Sequence, residues 1–531
     1  MRILGKSWAD GYLDHWRAPG QCRLKVLVWH NLAPIEDAYI TYSKDWRLVL
    51  NYLFEIGPSA TLRKIASRSR ELIRNCKYIS CGIGEVIECD NTSSFSVGDQ
   101  IVFLAPFHPR CMERVVLPEV FLQKVTRPLL ATGLRDKNII LYYESGRSVL
   151  DRRVWEDFAG WSDYAGWPVD VSRLSDVLAK IEEYLLSLIS VTKPIVLSVA
   201  YQSPVEERYK KEIPKPRKKA LKAVLFGYGH YARTMIIPNL SKKFLLACVH
   251  EIDPTQLGRI QALPFSCDSS PYPRTDERYD VYLISGYHHT HAPIAVHALK
   301  QGAYAVVEKP LVTTFAQLEE LVRAVHETPG RFFGCFQKRY SPSNELAKED
   351  LGVNQGDPIN YHCIVFEVPL PRLHWYNWPN SGSRIISNGC HWIDHFLYLN
   401  DFCPVRDCDV WEANNGDIIV TIELMNGACF SMALTDHGSA RIGVQEYVEL
   451  RTGGTTVIIK NDSNYLAEDS RRIKRRASIN KLSPHNRMYN HIFERIYRGE
   501  PGDSVESIER SSKLVLELEE KLRWKRSKVR N

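Results

Sequence analysis

Three groups of residues combine types and spacings that could do chemistry. In the first, Gly227-Tyr228-Gly229-His230-Tyr231-Ala232 follows directly on the apolar run Lys222-Ala-Val-Leu-Phe226. Gly227 permits a tight turn, Gly229 lets the backbone approach a pyrophosphate, and Ala232 is small enough for close helix packing. A helix starting near His230 would aim its first N–H groups and the positive end of its dipole at phosphate. The next apolar run, Phe244-Leu-Leu-Ala-Cys-Val249, ends near Glu251. That is about the 20-residue spacing at which an acid accepts hydrogen bonds from an adenosine ribose. An acid there favours NAD over NADP with its extra phosphate, a preference that nearby Lys242 and Lys243 could soften.

In the second group, Glu308-Lys309-Pro310 follows Ala303-Tyr-Ala-Val-Val307. A continuous apolar run of that length reads as a buried parallel strand. Lys309 would stand at its carboxyl end, able to contact a nicotinamide ribose and a substrate hydroxyl or carbonyl together, as proton relay or electrostatic stabiliser of hydride transfer. Ser285-Gly286-Tyr-His288-His289-Thr-His291 reaches the same sheet edge after Asp280-Val-Tyr-Leu-Ile284. Gly286, His288 and His291 are expected to border the cofactor or cap a helix, because adjacent residues on a loop or first turn rarely face one metal ion. In the third group His391 and Asp394 lie three apart, so on one helical face the carboxylate could orient the imidazole. Arg339 and Arg384 are candidate contacts for anionic or hydroxyl groups of a substrate, with Asp394 beside them.

These residues need a framework. Residues 222–226, 244–249, 280–284 and 303–307 read as strands, and Thr314 with Gln317 as the capping pair of the helix after Pro310. Further on, 417–424, 428–433 and 444–450 read as strands, with Leu424-Met-Asn-Gly427 as a hairpin turn. Helices near 489–497 and after Asp503 close the chain, Asp503-x-x-Glu506 being the cap signal. In front, 24–29, 80–88, 95–103, 113–118, 121–125, 138–142 and 194–200 read as strands, and 62–76 as a basic amphipathic helix. Leu174, Val177, Leu178, Ile181 and Leu185 mark the apolar face of another helix. Residues 203–219, proline-containing and charged, read as a linker. His108 and Cys111 are too few for a zinc site, and no metal is expected.

Two resemblances emerge. Ser80-Cys-Gly-Ile-Gly-Glu-Val-Ile-Glu88 and Phe95-Ser-Val-Gly-Asp-Gln-Ile-Val-Phe103 resemble the "G-x-V-x-E-x-G… F-x-V-G-D-x-V" phrase of the GroES-like half of medium-chain dehydrogenases. Some of those enzymes place a Gly-His-Glu zinc segment near this strand. Here the residues read Cys81-Gly82-Ile83-Gly84-Glu85, and no glycine fingerprint follows before residue 220. The front segment is therefore similar to a dehydrogenase half without its cofactor module, with a structural or docking role.

Residues 220 to about 525 resemble the glucose–fructose oxidoreductase/inositol dehydrogenase (Gfo/Idh/MocA) family. The resemblance rests on Gly227, Gly229, Ala232, His288, His291 and Glu308-Lys309-Pro310. It also rests on Phe336-Gln-Lys-Arg339-Tyr-Ser-Pro342 and Arg384-Ile-Ile-Ser-Asn-Gly389-Cys-His391-Trp-Ile-Asp394, which follow the "F-N-R-R-F-S-P" and "R-I-I-G-E-x-C-H-F-I-D" phrases of one bi-domain subgroup. It implies an α/β fold: a Rossmann dinucleotide-binding domain plus an α+β open-sheet substrate domain, preceded by the β-rich GroES-like domain. It also implies an NAD(P)-dependent oxidoreductase (dehydrogenase or reductase) acting on a sugar, sugar nucleotide or biosynthetic ketone or imine, with Lys309 and His391 as catalytic residues. The chain departs from the pattern at Ser387, where many relatives have an aspartate, and at Asn388, where the subgroup has glutamate. A non-catalytic NAD(P)-binding scaffold or partner subunit is the alternative.

The expected divisions are 1–130 (GroES-like), 131–219 (truncated α/β segment and linker), 220–340 (Rossmann) and 341–531 (open sheet), within 531 residues. Thirteen scattered cysteines suit reduced thiols in a cytoplasmic protein. The net charge of +7 gathers in runs near 210–222, 471–476 and 521–530 without a nucleic-acid module, so these read as solvated surface. The greasiest stretch, 185–200, is broken by Lys193-Pro194 and cannot span a bilayer. Expected partners are a small-molecule substrate and, through the open sheet, a second copy of the chain; nucleic acid and membrane are not expected.

Overall fold

The computed structural model describes residues 21–34, 50, 53–54, 57–62, 78–89, 93–105, 114–118, 121–126, 139–143, 171–191, 195–198, 208–209, 220–251, 264–268, 272–275, 277–370, 376, 381–439 and 443–529. His108, Cys111 and all but the first residue of the expected helix at 62–76 lie outside them. Within the described residues the chain forms three sheets with associated helices, an α/β fold.

The first sheet comprises β1 (Gln21–Pro34), β2 (Tyr78–Cys89), β3 (Gln100–Ala105), β4 (Arg114–Pro118), β5 (Leu122–Lys124), β6 (Ile139–Tyr143) and β7 (Ile195–Ser198), in the order β5-β3-β2-β1-β6-β7 with β4 also on β1. Helix α1 (Val171–Val191) buries Leu178, Ile181 and Leu185, the face its 3-4 spacing marked. Glu182 on that helix accepts hydrogen bonds from both N–H and O–H of Thr126, at 2.7 and 2.8 Å.

The second sheet contains β8 (Arg208–Tyr209), β9 (Leu221–Phe226), β10 (Phe244–His250), β11 (Ser266–Asp268), β12 (Val281–Ile284), β13 (Tyr304–Glu308) and β14 (Phe332–Cys335), ordered β14-β13-β12-β9-β10-β11-β8. All pairs are parallel except β8 on β11. Without β8 this is the doubly wound order, with its switch point between β9 and β12. β8 corrects the reading of 203–219 as linker throughout: two of its residues extend the sheet edge.

Successive side chains of these strands enter opposite cores, Leu225, Leu283 and Val306 on one face and Val224, Tyr282 and Val307 on the other. Burial on both faces explains why the strands read as unbroken apolar runs. Helices α2 (His291–Lys300) and α3 (Phe315–Glu327) cover the second face. Thr314 accepts from Gln317 N at 3.3 Å while Gln317 Oε1 accepts from Thr313 N at 2.8 Å, a capping exchange one residue broader than the expected pair.

After α4 (Pro342–Leu351) comes the third sheet: β15 (Asn360–Phe366), then α5 (Cys390–Leu399), then β16 (Val405–Glu412), β17 (Ile418–Leu424), β18 (Cys429–Thr435), β19 (Gln445–Thr452), β20 (Thr455–Lys460), β21 (Asn464–Asp469) and β22 (Ile473–Ser478). Its order is β16-β17-β18-β15-β19-β20-β21-β22, antiparallel apart from β15 on β18. One face joins α5 and α7 (Val505–Val529) in the core shared with the Rossmann sheet. The other leaves Ile364 and Tyr447, directly opposite each other, exposed. Helix α6 (Ser483–Arg498) returns to the Rossmann unit, setting the Phe493 ring 5.1 Å from that of Phe244 and pairing Glu494 with Lys243 at 2.7 Å.

The cap of α7 is Ser504, whose hydroxyl accepts from Ser507 N at 3.2 Å. Asp503, the expected cap, instead accepts from Gly334 N at 2.7 Å. Among the described residues no helix is long and apolar enough to cross a membrane.

Candidate functional site

At the switch point, Gly227 takes φ +89°, and a Cβ there would lie 2.7 Å from Gly286 Cα and Ser285 O. The ends of β9 and β12 thus approach too closely for any other residue. Ser285 Oγ ties them further, 3.2 Å from the carbonyls of Phe226 and Gly227. A Cβ at Gly229, by contrast, would meet nothing within 4 Å. The helix starts at His230, and Ala232, buried, opens a π-helical turn through Ile236. Glu251 stands at the end of β10, and its Oε2 accepts from Tyr228 N at 2.6 Å. The expected ribose acid is therefore braced against the glycine turn.

On the neighbouring edge, His291 lies with Nδ1 2.7 Å from Pro310 O and Nε2 3.2 Å from Gly286 O. Both ring nitrogens face main-chain carbonyls, so this histidine clamps the two loops together and is not placed as a metal ligand. His288 packs its ring 4.7 Å from that of Tyr376, and burial, His291 and Lys309 hold its pKa well below the ordinary imidazole value. Glu308 was expected at the cofactor. Its carboxylate instead accepts from the buried hydroxyl of Tyr489 on α6, which also lies 3.4 Å from Tyr231 Oη. Helix α6 so connects the glycine helix with the strand that leads into Lys309.

Lys309 reaches across to the third layer, donating from Nζ to Ser387 O at 2.9 Å. Ser387 lies in a π-helical turn, Ile385–Gly389, directly before α5. The position that lacks the relatives' aspartate thus contributes its main-chain carbonyl. Burial opposes the ammonium, yet Tyr376, Cys390, Glu308 and Glu367 together hold its pKa above the usual lysine value. Burial pushes the Cys390 thiol up to about 12, so it is neutral at physiological pH.

Glu367, just past β15, supplies a carboxylate that sequence reasoning missed: a lone acid after a strand carries no distinguishing spacing. It accepts from Arg384 Nε and from Asn388 Nδ2, both at 2.5 Å. Burial raises its pKa against the pull of Arg384. Arg384 also donates from Nη1 to Gly416 O at 3.2 Å, while its buried Nη2 has no hydrogen-bond partner.

His391 opens α5. Its ring keeps some exposure, but Nδ1 is buried with no hydrogen-bond partner. Desolvation, then the charges of Lys309, Lys338 and His485, hold its pKa well below the ordinary value. Asp394 does not orient it. That carboxylate, fully buried, binds Arg339 in a two-pronged pair at 2.9 and 2.6 Å and accepts from Ser511 Oγ at 2.7 Å. Arg339 in turn lies near Asp503 at 3.8 Å, between the rings of Phe336 and Phe402. The pair expected to contact substrate is enclosed between α5, α7 and the Gln337–Tyr340 turn. The structure therefore gathers Lys309, His391, Arg384, Glu367 and Asn388, and sets Arg339 and Asp394 apart.

Among the described residues, two groups could approach a cation: His250, Asp268 and Glu277, and the more exposed Asp417, Asp436 and His437. Arg274 already takes both oxygens of Asp268, at 2.9 and 2.5 Å.

Residues 221–334 match the Gfo/Idh/MocA family model, described as an oxidoreductase family with an NAD-binding Rossmann fold. An uncharacterized oxidoreductase, YdgJ, of Escherichia coli (strain K12) is 28% identical over 129 residues, which are 24% of this chain and 37% of that protein. The match thus spans little more than a third of the curated relative. A dehydrogenase from Chromobacterium violaceum has 15% identity and a TM-score of 0.48, covering 58% of this chain and 96% of its own. The WlbA dehydrogenase from the same organism, solved with NADH and UDP-GlcNAcA, has 16% identity and a TM-score of 0.46 over 59% and 97%.

Proposed function

We propose that this protein is an NAD(P)-dependent oxidoreductase that moves a hydride to or from a small polar substrate such as a sugar, sugar nucleotide or biosynthetic ketone or imine. The observation that carries this reading is Lys309 reaching Ser387 O at 2.9 Å, in the turn that leads into His391, in a chain whose parallel sheet holds a dinucleotide-type glycine turn. A raised lysine stays charged and a lowered histidine stays neutral, which separates an electrostatic role from a proton-transfer role. The open space over Gly229 and the helix start at His230 fit a pyrophosphate.

The turn Gly227 to Ala232 would hold the phosphates, Glu251 the adenosine ribose, and Gly286, His288 and Pro310 the border near the nicotinamide. Bound there, the dinucleotide supplies or accepts the hydride. Lys309 keeps its proton and stabilises negative charge developing on the substrate oxygen. His391, neutral and with Nδ1 unpartnered, takes up or returns the substrate proton. Arg384, through its spare Nη2, contacts a further substrate oxygen. Glu367 balances Lys309 and Arg384 in place of the acid missing at Ser387. NAD is favoured over NADP by Glu251.

The test is Lys309→Ala and His391→Asn in the full chain, assayed for cofactor binding by fluorescence and for turnover on a substrate panel. Both should bind cofactor and lose turnover by about 100-fold or more. Unchanged turnover in Lys309→Ala would remove its catalytic role. Cofactor binding without turnover in the wild type, with another enzyme co-purifying, would favour the scaffold reading.

A further inference from the structure

Beneath His391 lies a buried ion cluster that the reaction above leaves unused. Lys338 Nζ sits 2.8 and 2.7 Å from the two oxygens of Glu446 on β19, and 3.2 and 3.3 Å from those of Asp462. Trp392, the neighbour of His391 on α5, donates its indole N–H to Glu446 Oε2 at 2.5 Å. Lys338 Nζ lies 5.2 Å from the centre of the same indole. The side chains of Lys338 and Glu446 are only 4% and 5% exposed.

Asp462 comes from the three-residue loop Asn461-Asp462-Ser463 between β20 and β21, whose first two residues are at positive φ. That loop turns both side chains inward: Asn461 Oδ1 accepts from Glu446 N at 3.0 Å. One ammonium faces two carboxylates, so the cluster either keeps a net negative charge or holds one extra proton. Burial and then Asp462 push the Glu446 carboxyl up to about 7. The other titratable groups facing it are Tyr361 and Cys363 on β15, raised well above their usual values by burial, and His395 on α5, lowered to about 3. None of these three changes charge near neutrality.

Buried ion pairs are a poor means of stabilising a core, because desolvation offsets their attraction. The placement of this one suggests another use. Among the described residues His391 Nδ1 has no hydrogen-bond partner, and its ring lies edge to face with Trp392 at 5.7 Å. We propose that Glu446 is a positioning residue for His391: it fixes the indole against which the imidazole rests and, with Lys338 and Asp462, sets the charge beneath the ring. This deepens the oxidoreductase reading and rests on His391 handling the proton there.

The experiment compares wild type with Glu446→Gln in the full chain, using diethyl pyrocarbonate, which modifies neutral imidazole, and peptide mass spectrometry to follow the rate at His391. The exposed His437 serves as internal reference. In the wild type the His391 rate should change several-fold between pH 6 and 8 as Glu446 changes charge; in Glu446→Gln the dependence should vanish while His437 is unaffected. Trp392→Phe, which keeps an aromatic ring and removes the N–H, should raise the His391 rate if Glu446→Gln does not fold. Identical rates and pH dependence in wild type and variant would overturn the proposal. Labelling needs neither cofactor nor turnover. A wild type that binds no dinucleotide would sink the oxidoreductase reading and leave the His391 rates to decide this one.

Discussion

Asp394→Asn isolates the claim that the Arg339–Asp394 pair is architecture and not a substrate clamp. The substitution keeps shape and can still accept from Ser511, but it removes the charge facing a guanidinium whose side chain is 8% exposed. Asp503, at 3.8 Å, and the flanking rings of Phe336 and Phe402 offset part of that loss. Breaking a buried pair from one side costs about 3–5 kcal/mol. With Asp503 still in place the lower end applies, about 3 kcal/mol. For a unit of this size each kcal/mol moves the midpoint by roughly 2–4 °C, so the melting temperature should fall by roughly 6–12 °C. Circular dichroism on the full chain follows it, with each transition compared separately because several sheets need not melt together. Arg339→Leu/Asp394→Leu removes both charges of the pair and should be less destabilised than Asp394→Asn, with Asp503 keeping its bond from Gly334 N. A shift under about 2 °C accompanied by a raised KM would refute the reasoning, because a substrate-facing pair behaves that way.

Gly227→Ala should destabilise the Rossmann unit by about 1–3 kcal/mol even without cofactor, since its Cβ meets backbone at 2.7 Å in a left-handed conformation; chemical denaturation measures this. The pH dependence of turnover follows from signs alone. Lys309, raised, stays charged until pH exceeds the ordinary lysine value, and His391, lowered, stays neutral until pH falls well below the ordinary imidazole value. The outer limbs of kcat should therefore lie beyond both values, and an inflection near 7 should disappear in Glu446→Gln. Ile364→Asp, on the exposed sheet face opposite Tyr447, should lower the mass found by light scattering if two copies meet there, and leave it unchanged if they do not.

The features legible in the sequence were those with local signals. Apolar runs set the strands, glycine spacing set the turn at Gly227, and the Thr314–Gln317 exchange announced its helix. What escaped was decided by contacts between distant segments. Glu367 matters because β15 ends beside Arg384 and Asn388, which no spacing encodes. Arg339 and Asp394 looked functional because charged residues flank the chemistry; their enclosure depends on Phe336, Phe402 and Ser511 arriving from separate elements. Asp503 carried a cap signal but was taken by Gly334 N, leaving Ser504 the role. Arg208–Tyr209 is too short for any periodicity to show.

The central claim is a dinucleotide on the glycine turn. Its most direct test is titration of the full chain with NADH and NADPH, followed by nicotinamide fluorescence, for wild type and Gly229→Val. A Cβ at this position meets no protein atom within 4 Å, so the variant should fold as the wild type does while filling the space proposed for phosphate. The expected result is saturable binding, tighter for NADH, weakened about tenfold or more in Gly229→Val, roughly 1.4 kcal/mol. No saturable binding by the wild type, or equal affinity in the variant, would contradict it.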